Sequence, residues 1–231
     1  MLILSSPHNP GGSVWTQDEL QQLAAICLKY NVLMLSDEIH CDLVYKPNKH
    51  IPLASLSAEI SQKTITTVAP SKTFNISGLA SSAVIIENPL LRKQFIDQVE
   101  HLHIGMGNIL GNIASEYAFR FGDTYVDELM DYLAINVRTI EDFCKKHLPF
   151  IKIFRPEATF LVWLDCRETG MVDKALNEFF LHEAKIGCNP GVQFGIGGEG
   201  FMRMNIGCPK SVIEKALKQL KEAFDKRSGK V

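Results

Sequence analysis

The chain has 231 residues, 46% apolar and 22% charged, with a formal net charge of −2. That is ordinary globular composition, long enough for one large core or two modest domains. No basic block offers nucleic acid a surface, and no apolar run reaches the length of a membrane span.

Residues 2–6, LILSS, read as a buried strand, and the PHNPGG that follows must turn. Thr16 and Glu19 have capping-box spacing and start a helix. Leu20, Leu23, Ala24, Cys27 and Tyr30 fall on one face of it at helical spacing. An apolar stretch at 32–35 returns as a second strand ending at Ser36 and Asp37. The order strand–helix–strand is the signature of a parallel sheet. Residues 64–69, TITTVA, give a third strand and 81–87 a fourth, so four parallel strands are expected. Pro89 opens a helix, and a long helical stretch runs from Ile109 to His147 with a break near Gly122 and Asp123.

After Pro149 the pattern changes. IKIF and TFLVWLDC read as strands, and residues 171–187 as a helix closed by Gly187. Residues 200–207 alternate like a strand, and a final amphipathic helix follows Pro209. The class is α/β. The expected division is a large domain over 1–108, a connecting helical segment over 109–147 and a small domain over 148–231.

The six cysteines, Cys27, Cys41, Cys144, Cys166, Cys188 and Cys208, form no C-x-x-C pair. They read as reduced, buried thiols of a cytoplasmic protein. The seven histidines show no metal-ligand spacing. His101 and His103 fall on different helix faces, so no metal site is expected there.

Ligands of open parallel sheets bind beyond the carboxyl ends of the strands. The first strand delivers Asn9 there, the second Asp37 and His40, the third Ser71 and Lys72. Taken singly, each has an ordinary explanation. Asn9 is a turn residue, Asp37 a loop acid, His40 a hydrogen-bonded histidine and Lys72 a solvated cation. Taken together, they place an amide, a carboxylate, a hydroxyl and an amine at successive strand ends. Pyridoxal phosphate chemistry needs that set. A lysine amine forms a Schiff base with the aldehyde, an acid keeps the pyridine nitrogen protonated, and hydroxyl or amide donors hold the phosphate and the phenolic oxygen.

HNPGG (8–12), SDEIHCDL (36–43), APSKTFNISGLA (69–80) and FMRMNIGCP (201–209) together resemble the class I/II aminotransferase family of fold-type I pyridoxal-phosphate enzymes. Within it the wording is most similar to the cystathionine β-lyase, MalY/PatB-type, carbon–sulfur lyases. The resemblance implies that Lys72 is the catalytic lysine, linking the cofactor and moving protons. It further implies that Asp37 pairs with the pyridine nitrogen and that Asn9 bonds the phenolic oxygen. His40 takes the place of a family tyrosine beside that oxygen, and Ser71 contacts the phosphate. Arg203 matches the arginine that clamps the substrate α-carboxylate. GLASS (78–82) stands where many aminotransferases carry a further arginine, so phosphate binding leans on other groups.

The expected activity is β-elimination on a sulfur amino acid, releasing a thiol, pyruvate and ammonia. An aminotransferase of the same fold is the alternative, and a non-catalytic, partner-binding remnant is a second. The resemblance also implies a homodimer. It makes the chain an expected fragment lacking an N-terminal part, holding the C-terminal portion of the large domain plus the small one.

Overall fold

A computed structural model describes residues 1–105 and 107–229. They form two compact units, one of Met1–His8 with Ser13–Glu128 and one of Asn9–Gly12 with Leu129–Val231.

The first unit runs β1 (Leu2–Ser5), α1 (Gln17–Lys29), β2 (Met34–Asp37), α2 (Ala58–Ser61), β3 (Thr64–Val68), α3 (Pro70–Thr73), β4 (Ala83–Ile86), α4 (Pro89–His101) and α5 (Ile109–Phe121). The start of α6 (Asp123–His147) also belongs to it. The capping box forms: Thr16 Oγ1 accepts from the Glu19 amide, and Glu19 Oε2 accepts from the Thr16 amide. Leu20, Ala24 and Cys27 of α1 are buried and pack with Leu4 and Met34 of the sheet. Tyr30 departs from the expected inner face. It caps the helix C-terminus and is 67% exposed.

The sheet order is β1-β2-β3-β4. The first three strands are parallel, but β4 runs antiparallel to β3, which corrects the expected all-parallel sheet. The reason lies in the connection. Between β3 and β4 stand one turn of α-helix and one of 3-10 helix, which reverse the chain without a full crossover. The helices around 109–147 are borne out, with Gly122 at the break between α5 and α6. Much of α5 is apolar and exposed, including Ile109, Leu110, Ile113, Tyr117 and Phe121.

The second unit contains the rest of α6, then β5 (Lys152–Phe154), β6 (Leu161–Asp165), α7 (Asp173–Glu178), β7 (Asn189–Pro190), β8 (Phe201–Asn205) and α8 (Lys210–Arg227). Its sheet is antiparallel, ordered β5-β6-β8-β7. The helix expected over 171–187 is shorter and changes character. It becomes a π-turn over Phe179–Glu183, and the left-handed residue that follows is Lys185, not Gly187. The wider turn lets two consecutive rings, Phe179 and Phe180, both go fully inside, where Phe179 meets Phe224 at 4.4 Å. Asn136 of α6 is buried and donates Nδ2 to the carbonyls of Ile206 and Cys208, fixing the exit of β8. The segment Asn9–Gly12 joins this unit, the Gly12 carbonyl accepting from the amides of Glu157 and Ala158 at 2.9 Å each.

Among the described residues no helix is long and apolar enough to cross a membrane, and no cluster of three or more side chains has the makings of a metal site.

Candidate functional site

In the first unit four of the expected residues stand at or just past the ends of two neighbouring strands. Asp37 is the last residue of β2 and pairs in register with Ser5 on one side and Thr67 on the other. Side chains in one register row share a sheet face, so Thr67 is beside Asp37. Its Oγ1 donates to Asp37 Oδ1 at 3.3 Å, and the same oxygen accepts from the Ile39 amide at 3.4 Å. Ser71 and Lys72 lie on α3, which begins two residues after β3 ends. Pro70 presets the first φ of that turn. The Ser71 carbonyl accepts from the Ile76 amide at 3.2 Å and from Ser77 Oγ at 3.3 Å, which folds the chain back after the lysine. Lys72 is half-buried, and among the described residues it makes no ion pair.

His40 is buried, 3% exposed, in the turn that follows β2. That turn is anchored by Glu38, a carboxylate only 2% exposed. Its Oε1 accepts from Ser36 Oγ at 2.8 Å and the Leu53 amide at 3.1 Å, and Oε2 pairs with His50 Nε2 at 2.8 Å. A buried carboxylate is tolerated only when satisfied in this way.

In the second unit Arg203 and Asn9 meet. Arg203 lies on β8 in a row that crosses all four strands: Phe154, Trp163, Arg203, Asn189. Nη1 donates to Asn9 Oδ1 at 2.9 Å and Nη2 to Asn189 Oδ1 at 2.8 Å. The Phe194 ring covers the guanidinium, with the Arg203 Cζ 4.6 Å from its centroid, and Phe194 meets Trp163 edge-on at 5.7 Å. Burial lowers the Arg203 pKa from the usual arginine value, though the group stays charged. Its Nε–H is buried and, among the described residues, meets no hydrogen-bond acceptor. A fixed guanidinium fork held by neutral amides is suited to a carboxylate.

Asn189, Phe194 and Thr67 escaped the sequence reading. Asn189 sits on a two-residue strand, too short to alternate, and its one signal is the Pro190-Gly191 that follows. Thr67 is one of several threonines in TITTV and only register distinguishes it.

The family model for class I and II aminotransferases matches residues 1–220. The chain belongs to this family. Among curated proteins, cystathionine β-lyase PatB of Bacillus subtilis is 40% identical over 224 residues, which is 97% of this chain and 58% of PatB. Protein MalY of Escherichia coli is 34% identical, matching 97% of this chain and 57% of MalY. The solved structure of cystalysin from Treponema denticola, which contains pyridoxal 5′-phosphate, has a TM-score of 0.93 at 38% identity, over 97% of this chain and 57% of that one. The chain thus spans a little over half the length of the relatives it matches. The expected fold class, α/β of fold-type I, is borne out.

Proposed function

We propose that the chain carries the amine, acid and carboxylate-binding groups of a pyridoxal-phosphate-dependent carbon–sulfur lyase of the cystathionine β-lyase type. When bound, the cofactor supplies an aldehyde that captures amines and a ring that takes up electron density from the substrate α-carbon. The donor set fits that group. A half-buried lysine and a carboxylate stand at the ends of adjacent strands, with Ser71 preceding the lysine in the same turn. This placement of Asp37 and Lys72 is the observation that carries the reading.

Lys72 would hold the cofactor through Nζ and, as a free amine, would take the proton from the substrate α-carbon. Asp37 would keep a proton on the ring nitrogen; the Thr67 and Ile39 bonds both fall on its Oδ1, which leaves Oδ2 for that role. By the family resemblance, Asn9 and His40 would serve the phenolic oxygen, and Ser71 the phosphate. Arg203 receives the α-carboxylate, which orients the α-proton. Loss of the β-thiolate, which picks up a proton, and hydrolysis of the remaining three-carbon enamine by water would give a thiol, pyruvate and ammonia. The name of PatB supports the lyase reading, and cystalysin's bound cofactor supports the choice of cofactor.

Pyruvate release from L-cystathionine without added keto acid tests the reading. Its appearance supports the lyase. Transfer of the amino group that depends on an added keto acid, with no pyruvate otherwise, would establish the aminotransferase instead. The apolar residues exposed along α5 support a homodimer, which sedimentation equilibrium would check.

A further inference from the structure

Lys72 rides on a single turn of helix. One turn does not hold itself, because nucleation fixes more dihedral angles than its hydrogen bonds repay. The N-cap residue, Ala69, adds no side-chain bond. The position of the amine therefore depends on what grips the turn from outside.

Two contacts do so. Phe74, just past the turn, stacks on Tyr125 with centroids 5.5 Å apart and planes at 25°. Gly122 makes room for that ring, since a Cβ there would come within 2.3 Å of it. The second contact is polar. Thr73 is 1% exposed and donates Oγ1–H to Asp42 Oδ2 at 2.9 Å, linking residues 31 apart. Asp42 belongs to the segment that follows Asp37, the last residue of β2, and that carries His40. Its other oxygen accepts from Cys41 Sγ at 3.7 Å. Burial, then the charges of Asp42 and Glu38, push the Cys41 thiol up to about 12, so the sulfur keeps the proton it donates. Glu38 in turn fixes the base of the same segment.

We propose that Asp42 is a positioning residue for Lys72. Through Thr73 it locks the turn that carries the amine to the segment that carries the ring-nitrogen acid. This rests on the cofactor reading above for its meaning, though not for its geometry. A hydroxyl donating to a carboxylate is a charge-assisted bond, stronger than a neutral one. It makes two separately folded pieces of sequence a single frame.

The test uses the 231-residue chain without cofactor, then with pyridoxal phosphate. The amides of Phe74 and Ile76 bond to the carbonyls of Pro70 and Ser71, so their hydrogen exchange reports closure of the turn. Thr73→Val keeps the shape and removes the hydroxyl. It is expected to speed exchange at both amides by about tenfold, while α1 amides stay unchanged. Thr73→Ser restores protection. Asp42→Ala matches Thr73→Val, and the double variant exchanges no faster than either single one. If Asp42→Ala fails to fold, the contrast between Val and Ser at position 73 decides. Unchanged exchange in Thr73→Val, or effects of the two substitutions that multiply, overturns the proposal.

Borohydride reduction followed by peptide mapping then asks whether pyridoxal phosphate is fixed at Lys72, and whether Thr73→Val lowers that yield and Thr73→Ser restores it. A wild type that takes no label at Lys72 overturns the cofactor reading and leaves the exchange result to stand alone. Label at Lys72 with equal yield in Thr73→Val overturns the positioning role.

Discussion

Arg203 donates Nη1–H to Asn9 Oδ1 at 2.9 Å, across 194 residues of sequence. Asn189 takes the other arm of the guanidinium at 2.8 Å. Both acceptors are neutral amides. They aim the fork and leave its charge uncancelled for an anion. An acid in either place would be a built-in competitor. Asn189→Asp is therefore expected to raise KM for the amino-acid substrate roughly tenfold with little change in kcat. Arg203→Lys loses the planar fork and raises KM further. Steady-state kinetics check both, and an unchanged KM in Asn189→Asp would remove the competition argument.

Under the proposed function, Lys72 and Asp37 are expected to separate attachment from chemistry. Lys72→Ala is expected to abolish borohydride-fixed cofactor at that position and to cut turnover by a thousandfold or more, on the order seen when a covalent group is removed. Asp37→Asn keeps a side chain of the same shape beside Thr67 but cannot stabilise a ring N–H⁺ by charge. Attachment at Lys72 should persist while turnover falls about a hundredfold. Mass mapping and pyruvate assay on the same samples distinguish the two outcomes. Normal turnover in Lys72→Ala would sink the assignment.

The elements that carry the candidate groups were legible because local chemistry specified them. Thr16 and Glu19 cap α1, and TITTV is β-branched and flanked by turn residues. The ends of β2 and β3 follow from that, and Asp37 and Lys72 with them. The direction of β4 was not legible, since AVII reads alike in either sense and only the short connection through α3 decides. The π-turn at Phe179 answers to two rings seeking one core, which helical periodicity cannot register. Asn189 and Asp42 act through partners 14 and 31 residues away, and no local pattern marks such pairs.

Gly12 tests whether the segment 9–12 is built for its place in the second unit. Its φ is +72°, and a Cβ would lie 2.8 Å from Pro156 Cβ and 3.1 Å from the Ala158 carbonyl. Gly12→Ala meets both a left-handed backbone and a rigid neighbour. It is expected to destabilise the fold by about 1–3 kcal/mol. Because the Asn9 contact with Arg203 belongs to the same segment, substrate KM should rise as well. Urea unfolding and KM on one preparation check the pair, and an unchanged midpoint would show that the segment yields without cost.

Asp165 gives the pH dependence its sign. It ends β6 with its side chain 7% exposed, and Arg167 meets it with both Nε and Nη2, at 2.9 and 2.7 Å. Hydrogen bonds from Arg167 hold the carboxyl below the usual carboxylate value, against the opposing effect of burial. A lowered folded pKa means that the unfolded state binds the proton more readily. The contribution is thus full above the ordinary value of about 3.9 and is lost as pH falls from there through the folded value. The partner guanidinium is largely exposed and also packs over Phe201 at 4.9 Å, so the ionic part is about 1 kcal/mol or less. Asp165→Asn should lower stability at pH 7 by roughly that amount and flatten the acid limb of the stability curve below pH 4. Urea midpoints from pH 7 down to pH 3 measure it. Parallel acid limbs in wild type and variant would mean that the Asp165–Arg167 pair adds nothing to stability.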